Sequence, residues 1–203
     1  MSDSYAYGFW SAVVINAAIF IFFALGFLRP RRRWEWRSMG TFSAFVVALF
    51  AEMYGFPLTI YALASVLGSK YPVTNIFSHS NGNLLAVFLG GSEHSAALLM
   101  LIAWGPMLAG LVIMGKAWSE IRKAKGQLVT SGLYSRMRHP QYFGLFLITV
   151  GMLIQWPTII TVAMWPALMV MYYRLSRREE KDMEIEFGAQ YRTYKRLVPM
   201  FPP

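Results

Sequence analysis

The sequence predicts an all-α integral membrane bundle of about five transmembrane helices, closing with a C-terminal helical hairpin and an amphipathic cytoplasmic helix. Three observations carry that prediction. More than half of the 203 residues are hydrophobic, 14% are charged and the mean hydropathy is +0.42, far from the balance of a soluble domain. Long apolar stretches recur along the chain. Eighteen of the nineteen Lys and Arg residues fall in three segments, 29–40, 116–138 and 174–203, which alternate with those stretches so that one face of a membrane receives them all.

Taken in order, Tyr5 to Leu28 is the first apolar stretch. It lacks a basic start and runs into arginines instead of a small-residue cleavage site, so it reads as a retained anchor and not a removable leader. The second, Thr41 to Leu67, is interrupted by Glu52, with Gly55 and Pro57 marking a break just beyond it. Residues 68–94 are rich in turn formers and hold one apolar piece, Leu84 to Leu89, too short to span; it either lies in the interface or folds into the bundle mouth. Ser95 to Gly115 is the third stretch, expected to continue as a helix through Glu120 and Lys125 to a cap at Gly126.

A charge-free run of 32 residues, Tyr142 to Tyr173, follows. A single crossing needs about 20 apolar residues, so this run fits two compressed helices turning near Gln155-Trp156-Pro157. Last, Met183, Phe187, Tyr191, Tyr194 and Leu197 recur at steps of three and four and predict an amphipathic helix ended by Pro199. With loops this short, residues 1–203 are expected to form one membrane domain, 1–115 on the substrate side and 116–203 carrying a binding motif.

By the positive-inside rule the basic face is cytoplasmic. The net charge of +9, split among membrane-adjacent loops, points to anionic lipid headgroups and against nucleic acid. The chain has no cysteine, which excludes disulfides, thiolate metal sites and a cysteine nucleophile. His79 and His94 lack paired spacing, so no metal site is expected. Nothing in the sequence sets an oligomeric state.

If the 32-residue run is a hairpin, Arg138-His139-Pro140 before it and Arg178-Glu179-Glu180 after it meet on the same face. A histidine, several arginines and two adjacent carboxylates at an apolar mouth look like a site for a small charged ligand. Each residue also has a plainer role. His139 can cap a helix, Arg174, Arg177 and Arg178 can anchor topology by reaching lipid phosphates, and Met164, Met169 and Met171 can simply fill the bundle. Glu180 lies one helical turn from Glu184, a like-charge pair that favours a cation nearby.

The run Gly132-Leu133-Tyr134-Ser135-Arg136-Met137-Arg138-His139-Pro140-Gln141-Tyr142-Phe143-Gly144 resembles the Arg-His-Pro-x-Tyr-x-Gly signature of isoprenylcysteine carboxyl methyltransferases and related phospholipid methyltransferases. The tail, with Glu179-Glu180, Phe187-Gly188, Tyr191, Tyr194 and Val198-Pro199, resembles the ending of the same family, and the likeness covers roughly residues 126–203. It implies a membrane enzyme that binds S-adenosylmethionine at the cytoplasmic face and methylates a lipophilic acceptor from the bilayer. It further implies Val129, Tyr134, Arg138, His139, Pro140, Tyr142, Gly144, Glu179 and Glu180 around the cofactor, and Glu180, Arg178 and Arg138 at the reacting centre.

The chemistry of these side chains is compatible with that donor. Glu179 or Glu180 can pair with its ammonium or accept from its ribose hydroxyls; Arg138 or a helix N-terminus can hold its carboxylate. Tyr134 and Tyr142 offer flat faces, and Gly144 lets a backbone come close. Glu52, an ionisable group mid-way along an apolar span, is expected to line an acceptor passage with Tyr54, the alternative being a protonated carboxyl bonded to a neighbour. Two other classes stay open: a nicotinamide-dependent reductase of sterol-reductase type, which carries a similar histidine motif, and a transporter or scaffold. The acidic pair followed by Phe-Gly-x-x-Tyr favours methyl transfer. The absence of a glycine-rich strand-to-helix fingerprint excludes the soluble methyltransferase mode.

Overall fold

A computed structural model describes residues 7–28, 33–70, 84–89 and 93–202. The start of the first apolar stretch at Tyr5, three arginines of the first basic segment (Arg29, Arg31, Arg32), His79 and the Gly90-Gly91 pair lie outside the described residues.

Seven α-helices and no strand occur among the described residues: α1 (Trp10–Leu28), α2 (Arg33–Phe50), α3 (Leu58–Leu67), α4 (Leu84–Phe88), α5 (Glu93–Lys123), α6 (Pro140–Gln155) and α7 (Ile159–Leu197). Two are long and apolar enough to cross a membrane, within Ala97–Lys123 and Ile159–Leu197. A third candidate is the pair Met39–Gly55 and Leu58–Leu67, bent by 69°. Trp10–Gly26 and Pro140–Gln155 are apolar but shorter, so helix length gives two or three spans where hydropathy alone counts five. The protein is an integral membrane helical bundle.

The interrupted second stretch is broken as its sequence suggests. A π-turn at Ala51–Gly55 ends α2, Phe56 is extended (φ −137°, ψ 120°), and α3 starts after Pro57. Glu52 is buried there. Its carboxylate accepts from the Thr59 amide (2.8 Å) and from Thr59 Oγ1 (3.0 Å), while that hydroxyl accepts from the Ile159 amide (2.9 Å) at the start of α7. One carboxylate thus satisfies an otherwise unpaired donor at the start of α3 and, through Thr59, joins the break to the hairpin turn. Thr158 and Thr161 cap α7 reciprocally at the same place.

The hairpin forms: α6 and α7 are joined at Trp156-Pro157, with Trp165 Nε1 donating to Thr149 Oγ1 (3.2 Å) and the Tyr142 and Tyr172 rings 5.7 Å apart. On its other side α6 packs tightly on α5. A Cβ on Gly144 would stand 2.5 Å from Met114 Cγ and 2.8 Å from the Gly110 carbonyl, and one on Gly151 would stand 2.6 Å from the Ala103 carbonyl. Without a hydrophobic drive between helices in lipid, such close backbone approach is what holds a pair together. Phe42, Phe45, Met114, Leu145, Ile148 and Leu168 fill the centre of the bundle.

Two boundaries differ from expectation. The helix of α5 ends at Lys123, and the chain turns through left-handed Lys125 (φ 48°) and Gly126 (φ 90°). The amphipathic tail is not one straight helix: Gly188 (φ 55°, ψ −123°) lies outside helical space inside α7. The residues after it form a separate apolar cluster of Tyr191, Tyr194 and Val198 with Leu128 and Phe187, and Leu197 is left exposed, off the expected stripe.

Gly144→Ala is expected to lower the melting temperature in detergent, at about 1–3 kcal/mol for overpacking a filled helix contact. Glu52→Ala, which strands the Thr59 donors, is expected to cost about 1–3 kcal/mol while leaving ligand affinity at the opposite end of the hairpin unchanged. Thermal denaturation beside a binding titration checks both.

Candidate active site

The end of the bundle opposite the hairpin turn carries the polar residues. There the start of α6, the charged half of α7, the loop after α5 and the folded-back tail surround a cavity of about 410 Å³. Its walls include Val129, Tyr134, Arg138, His139, Tyr142 and Glu179, six of the residues singled out from the motif, with Gln141, Glu186, Tyr191 and Tyr194.

Arg138 organises this end. Its Nε and Nη2 both donate to Glu180 Oε1 (2.8 and 2.7 Å), and Nη1 donates to the carbonyls of Lys195 (3.0 Å) and Val198. The backbone repeats the link: the Arg138 amide donates to the Pro199 carbonyl (2.9 Å) and the His139 amide to the Met200 carbonyl (3.2 Å). The Tyr194 hydroxyl donates to the Tyr134 carbonyl (2.7 Å). The tail is therefore a wall of the cavity because the motif loop uses its donors on it. Glu120, on α5, fixes the other side of that loop by accepting from the Leu133 amide at 3.2 Å.

His139 is buried between two carboxylates, with Nδ1 3.6 Å from Glu179 Oε2 and Nε2 3.5 Å from Glu180 Oε1. Nε2 has no hydrogen-bond partner. Burial pushes the imidazole below its usual titration range, against the opposing pull of Glu180, so the ring is neutral near pH 7. Tyr142 donates to Glu179 Oε1, and burial followed by Glu179 pushes the Tyr134 phenol up.

Glu180 is buried against Arg138, Arg177 and Lys195 and does not line the cavity; it stands behind His139. Arg138 spends its donors on protein groups, which leaves less for a ligand carboxylate than its charge suggested. Pro140 opens α6 as its first residue. Gly144 faces Gly110 and Met114, so its missing side chain serves helix packing and not a ligand. Arg178 is exposed and off the cavity wall. Glu52 and Tyr54 sit by the hairpin turn, one α6 length away, about 24 Å for its 16 residues. The Tyr54 carbonyl there accepts from the Gly8 and Phe9 amides at 3.0 Å.

Lys195 was missed by the sequence reading: its Nζ lies 2.6 Å from Glu184 Oε1 and 3.1 Å from Glu180 Oε2, resolving the like-charge pair. The available signal was that pair itself, together with the glycine that interrupts the helix before Lys195. A second cavity, about 300 Å³ and almost wholly apolar, adjoins the first across Tyr142, between Phe143, Phe146, Met169, Tyr172, Tyr173 and Phe201. Among the described residues no group of three or more His, Asp or Glu could hold a metal ion.

Fold and site together define an integral membrane helical protein with a small-molecule cavity of both charge and aromatic character at one end of its bundle. Residues 96–185 match the model of the isoprenylcysteine carboxyl methyltransferase (ICMT) family. It is 30% identical over 113 residues to the protein-S-isoprenylcysteine O-methyltransferase of Mus musculus, covering 52% of this chain and 40% of that protein. To the enzyme of that name from Saccharomyces cerevisiae it is 30% identical over 134 residues, 63% of this chain and 53% of that protein. For the Rattus norvegicus protein the figures are 30% over 113 residues, 52% and 39%. The chain thus spans about half or less of the length of these relatives.

The neutral state of His139 sets a pH dependence. Because its pKa is lowered on folding, its contribution to stability is present above the unfolded value of about 6.5 and is lost as pH falls through the lower folded value. Melting temperature followed from pH 8 to pH 5 is expected to fall further in the native chain than in His139→Gln.

Proposed function

We propose that this protein is an S-adenosylmethionine-dependent membrane methyltransferase acting on a lipophilic acceptor, an isoprenylcysteine-type carboxylate or a phospholipid-like nucleophile. The observation that carries the proposal is the 410 Å³ cavity walled by the motif loop and Glu179, in a chain whose residues 96–185 match the ICMT family model. Its size falls in the range of about 300–1,000 Å³ typical of small-molecule sites.

The residues fit such a donor on grounds of their own. The His139 ring and the Glu179 carboxylate line the cavity where a ligand carrying hydroxyls and an ammonium would lie, and Tyr134, Tyr142, Tyr191 and Tyr194 supply faces for an adenine ring. The donor, when bound, supplies an electrophilic methyl group on a sulfonium. The protein's task is then to align and to exclude water. Tyr142 forms the partition between the polar cavity and the apolar one, so an acceptor's hydrocarbon can rest among Phe143, Phe146 and Met169 with its nucleophile toward Tyr142. A carboxylate or thiolate acceptor needs no strong base, in keeping with a histidine held neutral and a Glu180 occupied by cations.

On this reading the basic end of the bundle faces the cytoplasm, five segments cross the bilayer, residues 1–115 shape the acceptor side and 116–203 the donor side. Eighteen of nineteen positive charges on one face support the orientation.

Purified protein in detergent is expected to be stabilised by S-adenosylhomocysteine and not by NADPH, by about 2.7 kcal/mol at a ligand concentration one hundred times Kd. Glu179→Ala is expected to remove that shift. Stabilisation by NADPH alone points to a reductase, and by neither to a non-enzymatic role.

A further inference from the structure

We infer that Lys195, returned to the site by the Gly188 turn, is a positioning residue: its ammonium holds the Glu180 carboxylate, and through Glu180 it fixes Arg138 and His139 in the cavity wall. The inference rests on the donor-pocket reading above and adds to it a residue beyond the stretch that matches the family model, which ends at residue 185.

Glu180 is almost completely buried and its two oxygens face different partners. Oε1 takes both near donors of Arg138 and lies 3.5 Å from His139 Nε2. Oε2 makes no hydrogen bond and is met by charge alone: Lys195 Nζ lies 3.1 Å away as an ion pair, with Arg177 at 3.5 Å and more than half exposed. A carboxylate free to rotate would present either oxygen to the histidine; pinning Oε2 leaves Oε1 alone on that side. Lys195 is itself fixed by Glu184 Oε1 at 2.6 Å, and its own carbonyl accepts from Arg138 Nη1 at 3.0 Å, so side chain and backbone of one residue grip both members of the buried pair. Lys195 can reach that position because Gly188 adopts φ 55°, a value that side-chain-bearing residues rarely take. A straight helix would carry residue 195 away from residue 180 by about 22 Å.

The charged groups facing His139 are Glu179 and Glu180 from α7, Arg138 from the motif loop and Lys195 from the folded-back tail, with the Tyr142 ring beside it on α6. The carboxylate of Glu180 favours the protonated ring, and the two cations oppose it. Loss of Lys195 therefore moves the histidine titration upward, an effect that loss of packing alone does not produce.

The test is NMR titration of the His139 imidazole in the detergent-solubilised full chain, with S-adenosylhomocysteine affinity measured alongside, for the native chain, Lys195→Met and Lys195→Arg. The expected result is a higher His139 midpoint and about tenfold weaker ligand binding in Lys195→Met, the scale of one lost ion pair to a buried carboxylate, with both restored by arginine. Lys195→Gln, which keeps a donor without the charge, serves if the methionine variant does not fold and should show the same upward midpoint. A midpoint unchanged in the uncharged variants, or not restored by arginine, overturns the inference. Because the titration is read without ligand, a native chain that binds no S-adenosylhomocysteine contradicts the methyltransferase reading alone, and the shift still decides the role of Lys195.

Discussion

The site depends on a single guanidinium. Arg138 belongs to a loop that would otherwise be held by its 3₁₀ turn and by Glu120, and its guanidinium makes four contacts, two to one buried carboxylate and two to the carbonyl end of the last helix. A planar fork suits this task in a way an ammonium does not, since separate edges of one group address separate partners in a fixed geometry. Removing one member of such a buried pair typically costs about 3–5 kcal/mol because the other is left charged and unmet. The arrangement makes segments some 60 residues apart in sequence into two walls of one cavity.

The surroundings explain why so much polar chemistry gathers at one end. Within the bilayer the helices have little to hold them except close packing, which Gly110, Gly144 and Gly151 provide between α5 and α6. Polar groups along the spans are accordingly few, and several are locally satisfied: Glu52 with Thr59, Thr149 with Trp165, Thr158 with Thr161, while the buried Tyr172 hydroxyl has no partner. At the motif end the constraint is reversed. Helices longer than the roughly 30 Å of hydrocarbon carry charged turns beyond it, where ions can be partly buried and still find partners.

Much of this was legible in the sequence. Membrane character and the hairpin follow from an uncharged run too long for one crossing, and the meeting of the histidine loop with the acidic pair follows from the hairpin. The break after Glu52 was signalled by glycine and proline. Other features were hidden for physical reasons. Helical periodicity treats Gly188 as one weak position in a helix, whereas its positive φ redirects the chain after it: Tyr191 and Tyr194 stay buried, but Lys195 comes inward and Leu197 is left exposed. Gly144 reads equally well as a ligand-facing or a helix-facing gap, because a missing side chain does not say what fills its place. The family resemblance puts Glu180 at the reacting centre; of the groups around it, Lys195 is supplied by a fold-back that no local pattern encodes.

The most direct test of the account is proximity across the cavity. The chain has no cysteine, so Gln141→Cys, beside the motif loop, and Tyr191→Cys, in the tail after Gly188, both lining the cavity, can be introduced without background and treated with a short thiol cross-linker. The account predicts an intramolecular cross-link in the otherwise native chain and its loss when Arg138→Ala is added. Absence of the link in the native background, or its persistence without Arg138, contradicts the claim that this arginine holds the two walls together.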